Sequence, residues 1–129
     1  MELYSGKVME HFANPRNVGE ISDANGIGVE GDPGCGDVLK IWLKIEDEHI
    51  AEIKFKCLGC PAAIATTSAF TEYVKGMHIN DAVEVNGDKV DEMMGGLPET
   101  KRHCSVLGPG ALYNAVMDYV FRETMRQGG

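Results

Sequence analysis

Four thiols stand at Cys35, Cys57, Cys60 and Cys104 in a chain of 129 residues, and their neighbours suggest different work for each. Cys57 and Cys60, in "FKCLGCPAAIA", have the Cys-x-x-Cys spacing of a redox disulfide, half a zinc site or half a cluster site. Cys35 lies between glycines in "GDPGCGDV", which let a metal or partner approach the backbone, and Asp37 follows two residues later with an oxygen ligand. Cys104 follows His103 in "KRHCSVL", with Lys101 and Arg102 beside it to offset negative charge. Sulfur, carboxylate and imidazole in three chain-distant segments are the composition of a metal site. Each residue also has a plainer reading. A cysteine is often a small buried hydrophobe, Asp37 a turn residue, His103 a surface histidine, and Lys101 and Arg102 a solvated face. His11, His49 and His78 have no companion at ligand spacing and read as structural or surface residues, and Met93 and Met94 as core or interface filler.

The elements that must position these groups follow from periodicity. "ELYSGKVMEHF" spaces Leu3, Val8 and Phe12 as a short amphipathic helix, stopped by Asn14-Pro15 and Gly19. Residues 25–36 leave room for one short strand and a tight, exposed turn carrying Cys35. In "DVLKIWLKIED", Leu39, Ile41, Leu43 and Ile45 alternate with Lys40, Trp42 and Lys44, the pattern of a strand with one buried face. "HIAEIKFKC" repeats it, so the two form a hairpin across "EDEH". Parity places Cys57 with Ile53 and Phe55 on the buried face. Cys60 instead precedes Pro61, a favoured first helical residue, and so caps a helix running to a stop at Gly76. Unbonded N–H groups and the helix dipole there suit an anionic sulfur.

Further on, a turn is expected at Asn86-Gly87 and a short helix ended by Gly95-Gly96. A last helix from Lys101 to Arg126 carries Leu112, Ala115, Val116, Tyr119 and Val120 on one stripe, kinked or split by "GPG" at 108–110. The expected fold is α+β: a small three-stranded antiparallel sheet with helices packed on one face, a single domain over residues 1–129.

Composition narrows the class. A net charge of −8, from 12 Lys and Arg against 20 Asp and Glu, argues against nucleic acid and against anionic membranes. No apolar run approaches the ~20 residues of a membrane span, and "MELYSGKVME" lacks the regions of a secretory signal. A cytoplasmic setting is expected, where metal or thiol chemistry is favoured over two structural disulfides.

The motifs "YSGKVMEHFANPRNVGEI", "GDPGCGDVLKIWLKI", "FKCLGCPAAIATTSA" and "LPETKRHCSVL" together resemble the IscU/NifU family of iron-sulfur cluster assembly scaffolds over nearly the whole chain. Cys-Gly-Asp, Gly-Cys before an alanine-rich helix, and His-Cys-Ser fall in that family's order, with 25 positions from Cys35 to Cys60 and 44 from Cys60 to Cys104. The resemblance implies a non-enzymatic scaffold that builds a 2Fe-2S cluster from iron and desulfurase-derived sulfur and passes it to recipient apo-proteins, with zinc in the cluster-free form. It maps the ligands onto Cys35, Asp37, Cys60, His103 and Cys104, with Asp37 and His103 alternatives for the fourth corner. Cys104 is the implied persulfide acceptor, with Cys35 next, and Cys57 matches no ligand. A homodimer sharing one cluster is left open. Three thiolates and a carboxylate make a diferric cluster doubly negative, three thiolates and a neutral imidazole singly negative. Lys101 and the helix dipole offset either.

Two departures stand out. Leu97-Pro98-Glu99-Thr100-Lys101 replaces the Leu-Pro-Pro-Val-Lys at which an Hsp70-type chaperone docks, and Pro61 replaces a glycine. The nearest alternative is a zinc-bound sulfur acceptor of the SufU type. A thiol oxidoreductase using Cys57 and Cys60 is disfavoured by the burial expected for Cys57, and a ferredoxin by the absence of its Cys-x4-Cys-x2-Cys spacing.

Overall fold

The computed structural model describes residues 5–32 and 36–128. Three strands, β1 (Gly26–Asp32), β2 (Asp37–Glu46) and β3 (His49–Leu58), form an antiparallel meander in the order β1-β2-β3. Among the described residues the α-helices are α1 (Gly6–Ala13), α2 (Pro61–Val74), α3 (Ile79–Ala82), α4 (Gly87–Met93) and α5 (Leu107–Gly128), and a 3-10 segment, Glu99–Val106, leads into α5. The expected α+β architecture is present, with α2 and α5 on the sheet face that carries Leu39, Ile41, Leu43, Ile53 and Phe55. Each of these side chains is essentially removed from water, which stabilises the fold by about 1.5–3 kcal/mol per residue relative to exposure.

The hairpin forms as its alternation requires, turning at Asp47 and Glu48. Both have positive φ, 54° and 62°, as a two-residue turn that follows strand twist demands. Glu48, an unfavourable residue for that conformation, is held from outside: its carboxylate accepts the Tyr119 hydroxyl at 2.9 Å and its carbonyl accepts the Ile79 N–H at 2.9 Å. Burial, then this hydrogen bond, pushes the Tyr119 hydroxyl pKa up to about 12.

Helix α2 is buried nearly all round, although it contains Thr66, Thr67, Ser68 and Thr71. The hydroxyls of Thr66, Thr67 and Thr71 donate to carbonyls of Ala62, Ala63 and Ser68 one turn back, so a polar sequence makes an apolar cylinder. Ser68 is used differently: its Oγ accepts the Arg16 N–H and pairs with His11 Nδ1 at 2.8 Å, tying the N-terminal segment to α2.

Several expectations need correction. Trp42 has the parity of the exposed face but is 7% exposed. The segment from Val18, which bridges Phe55, to Asn25, which bonds to β2, crosses that face and buries Ile21 and Trp42 apart from the main core. Phe12 and Val120 are 40% exposed rather than core. Asn86-Gly87 starts a helix instead of forming a turn, because the Asn86 side chain caps α4 by accepting the Lys89 N–H. The helical stretch expected from Lys101 to Arg126 is split, but just before "GPG": a 3-10 segment ends at Val106 and α5 begins at Leu107, so Pro109 falls in its first turn, where an N–H is not needed. Gly108 is there for space, since a Cβ on it would lie 2.7 Å from the Phe70 ring.

Candidate metal centre

Antiparallel pairing brings the start of β2 beside the end of β3. Val38 pairs with Leu58, so Asp37 lies where the chain leaves β3 through Gly59 and enters α2. Cys60 is the N-cap of α2, as the Cys-Pro step requires, with extended backbone and no capping bond from its own side chain. Asp37 supplies that acceptor instead: its Oδ1 takes the Cys60 backbone N–H at 3.1 Å. A carboxylate at a helix N-terminus is held by the dipole as well as by the hydrogen bond. Asp37 is 3% exposed.

The 3-10 segment closes the third side. Thr66 of α2 donates to the Cys104 carbonyl at 3.4 Å, and Cys104 is wholly buried. Its Sγ lies 3.7 Å from Cys60 Sγ, far beyond the ~2.05 Å of a disulfide. Asp37 Oδ2 is 3.7 Å from Cys60 Sγ and 3.9 Å from Cys104 Sγ, and His103 Nε2 is 3.7 Å from Cys104 Sγ. The ligand atoms of Asp37, His103 and Cys104 all lie within 4.8 Å of one another, with His103 exposed on the outer side.

These separations have a chemical meaning. A tetrahedral ion with metal–sulfur bonds of about 2.3 Å holds its thiolates about 3.8 Å apart. Cys60 Sγ, Cys104 Sγ and Asp37 Oδ2 therefore present three corners of a shell for a single metal ion, and His103 approaches it beside Cys104 and Asp37. Four of the five residues expected to ligate meet here, and the fifth, Cys35, lies outside the described residues.

Cys57 is not among them. It is half-buried, shares its face with Ile53 and Phe55 and packs against the core. We expect Cys57→Ala to cost about 1 kcal/mol or less of stability and to leave metal and sulfide uptake at the wild-type level, as measured by elemental analysis. Loss of uptake with the fold retained would restore Cys57 and Cys60 as a working pair.

The other histidines are structural. His11 joins Ser68, Arg16 and two glutamates, and burial, then the nearby Arg16 guanidinium, holds its pKa below the usual imidazole range. His49 and His78 meet edge to face, 5.2 Å between ring centroids, at the hairpin end away from Asp37. Met94 is core and Met93 half-buried.

Comparison with known proteins gives the arrangement a context. Residues 3–126 match the NifU-like N terminal domain family. An iron-sulfur cluster assembly scaffold protein of Archaeoglobus fulgidus is 51% identical over 117 residues, covering 91% of this chain and 76% of the relative. A scaffold protein of the same description from Aquifex aeolicus is 43% identical over 122 residues, covering 93% and 78%. Among solved structures, the N-terminal part of a NifU-like protein of Brucella abortus superposes with a TM-score of 0.74 at 17% identity, covering 92% of this chain and 94% of that one. A SUF-system scaffold protein of Fervidobacterium islandicum gives 0.72 at 20%, covering 88% and 96%. These two likenesses concern the fold. With the family match spanning nearly every residue and relatives above 40% identity along most of their length, this chain belongs to the NifU-like N-terminal domain family.

Proposed function

We propose that the chain is a non-enzymatic scaffold on which a 2Fe-2S cluster is assembled as cargo and from which it is passed to recipient proteins. Cys35, Cys60 and Cys104 are the thiolate ligands in this reading, with Asp37 or His103 at the fourth corner. The observation that carries it is the meeting of Cys60, Cys104 and Asp37 from three elements at mutual donor spacings of 3.7–3.9 Å, with His103 3.7 Å from Cys104, in a chain whose relatives are named as cluster scaffolds.

The donor set suits temporary holding. A permanent electron-transfer cluster favours four soft thiolates. A carboxylate or imidazole in one corner is a weaker ligand for ferric iron in a sulfur-rich shell, and an incoming thiol can displace it. Helix α2 directs its N-terminus at the same point and offsets the negative charge of the loaded site. Asp37→Cys is therefore expected to bind its cluster more tightly and to slow transfer to an apo-ferredoxin by about tenfold or more. Wild-type transfer rates in that variant would remove the explanation.

Sulfur arrives, in this reading, as a persulfide of a cysteine desulfurase. The Cys104 thiolate attacks the outer sulfur and the donor cysteine leaves as thiolate. Cys104 is enclosed, so the 3-10 segment must lift first, and the weaker hydrogen-bond geometry of a 3-10 turn makes that the least costly opening near the site. Recipient apo-proteins and the desulfurase are the partners, a homodimer would share one cluster, and the setting is cytoplasmic. No helix among the described residues is long and apolar enough to cross a membrane. Docking of an Hsp70-type chaperone at Leu97–Lys101 has the least support: Leu97 is 8% exposed and its N–H is held by Asp91, while Glu99 faces solvent.

One observation favours a second occupant. Cys60, Cys104 and Asp37 have the spacing of three ligands of a single tetrahedral ion, so zinc fits the cluster-free form, and zinc alone would make the protein a sulfur acceptor. Anaerobic incubation with ferrous iron, cysteine and a desulfurase separates the readings. The scaffold reading expects a coloured, chelator-sensitive protein that activates an apo-ferredoxin. A colourless protein retaining only zinc would support the alternative.

A further inference from the structure

Gly59, the glycine of the Gly-Cys step before α2, occupies a position whose lack of a side chain the site uses. It has no positive φ, so backbone freedom does not explain it. A Cβ at Gly59 would lie 2.6 Å from Asp37 Oδ1, 2.9 Å from Asp37 Cγ and 3.2 Å from Asp37 Cβ. The carboxylate thus lies flat against the Gly59 backbone, in the space a side chain would fill. That is the position from which Oδ1 accepts the Cys60 N–H at 3.1 Å while Oδ2 stays 3.7 Å from Cys60 Sγ and 3.9 Å from Cys104 Sγ.

We infer that Gly59 is a positioning residue for Asp37: its bare backbone seats the carboxylate so that one oxygen caps α2 and the other faces the two sulfurs. The Asp37 backbone is fixed at the first rung of β2, paired with Asp32, so a methyl group at residue 59 has to be relieved by rotation of the Asp37 side chain. That rotation breaks the bond to Cys60 and takes the second oxygen out of the donor set. Residue 59 makes no ligand contact itself and acts only through Asp37.

A double-mutant cycle with Gly59→Ala and Asp37→Ala tests this, with one readout that needs no metal. In the metal-free protein, hydrogen exchange of the Cys60 amide is expected to be at least tenfold faster in Gly59→Ala than in wild type. It should be equally fast in Asp37→Ala and no faster in the double variant. After anaerobic reconstitution, Gly59→Ala and Asp37→Ala should lose iron to a chelator at similarly raised rates, again with nothing added in the double variant. Only this second arm rests on the scaffold reading, so a protein that takes up no cluster leaves the amide measurement to decide. An unchanged Cys60 amide in Gly59→Ala, or an effect of Gly59→Ala that persists in full without the Asp37 carboxylate, would overturn the inference. If Gly59→Ala does not fold, the double variant is expected to fold, because removing the carboxylate takes away the 2.6 and 2.9 Å contacts and leaves only the 3.2 Å approach of the residue 37 Cβ. A double variant that also fails to fold would overturn the inference too.

Discussion

Cys60→Ala should leave a folded protein that has lost its cargo. The side chain is half-buried and makes no capping bond, and the α2 start keeps its Asp37 acceptor, so the melting temperature should move by only a few degrees. The metal shell, by contrast, loses the sulfur that lies 3.7 Å from both Cys104 Sγ and Asp37 Oδ2. Loss of a residue that merely supports a metal ligand lowers affinity about 10–100-fold, and loss of a thiolate ligand should exceed that. Anaerobic titration with zinc, and iron and sulfide analysis after reconstitution, should both show a deficit of more than about 100-fold in affinity. Retention of metal by a folded Cys60→Ala protein would mean that the cluster of donors at the head of α2 is an accident of packing.

Gly28→Val should have the opposite profile, with the site chemistry intact in sequence and the fold lost. α5 packs on β1 closely enough that a Cβ on Gly28 would overlap the Ala111 carbonyl oxygen and the Ala115 amide nitrogen and lie 2.9 Å from the Ala115 Cα. Gly26 is in the same position, with the Ala115 carbonyl oxygen 2.5 Å from its missing Cβ. The obstructing atoms are helix backbone, which cannot rotate aside as a side chain can. The helix has to move away from the sheet and take Leu112, Val116 and Tyr119 with it. Overpacking of an ordinary core costs about 1–3 kcal/mol, occasionally more, and this site belongs at or above the upper end. A melting temperature lowered by about 10 °C or more, or no cooperative transition at all, is the expected result in thermal unfolding followed by circular dichroism. Stability close to wild type would show that α5 has slack against β1.

These variants also show where the sequence was readable. The hairpin, the Cys-Pro start of α2 and the parity of Cys57 depend on near neighbours along the chain, and each was legible from spacing and residue type. The convergence of Asp37, Cys60 and Cys104 was not visible in any one segment. It depends on strand register, which brings residues 23 positions apart within 3.1 Å, and on the fold of the 3-10 segment against α2. Composition gave the donor types, and the family resemblance gave their grouping. Trp42 escaped the alternation rule because the segment that covers it contributes a single buried residue, Ile21, too little to register as a second apolar face. The roles of Gly26, Gly28 and Gly59 escaped for another reason. A glycine with ordinary φ carries no mark of what lies against it, and only the positions of Ala115 and Asp37 reveal the use. "GPG" marked the division of the last helical stretch but not its kind, because the same three residues break a helix interior and begin a helix equally well, depending on where the first turn falls.

The most direct test is native mass spectrometry of the protein after anaerobic reconstitution with ferrous iron, cysteine and a desulfurase. A single spectrum reports metal identity, acid-labile sulfide and the number of chains. The expected species carries two irons and two sulfides, on one chain or across two, in the proportions of a 2Fe-2S cluster. A protein that emerges with zinc alone, or with iron and no sulfide, would contradict assembly of a cluster on Cys35, Cys60 and Cys104.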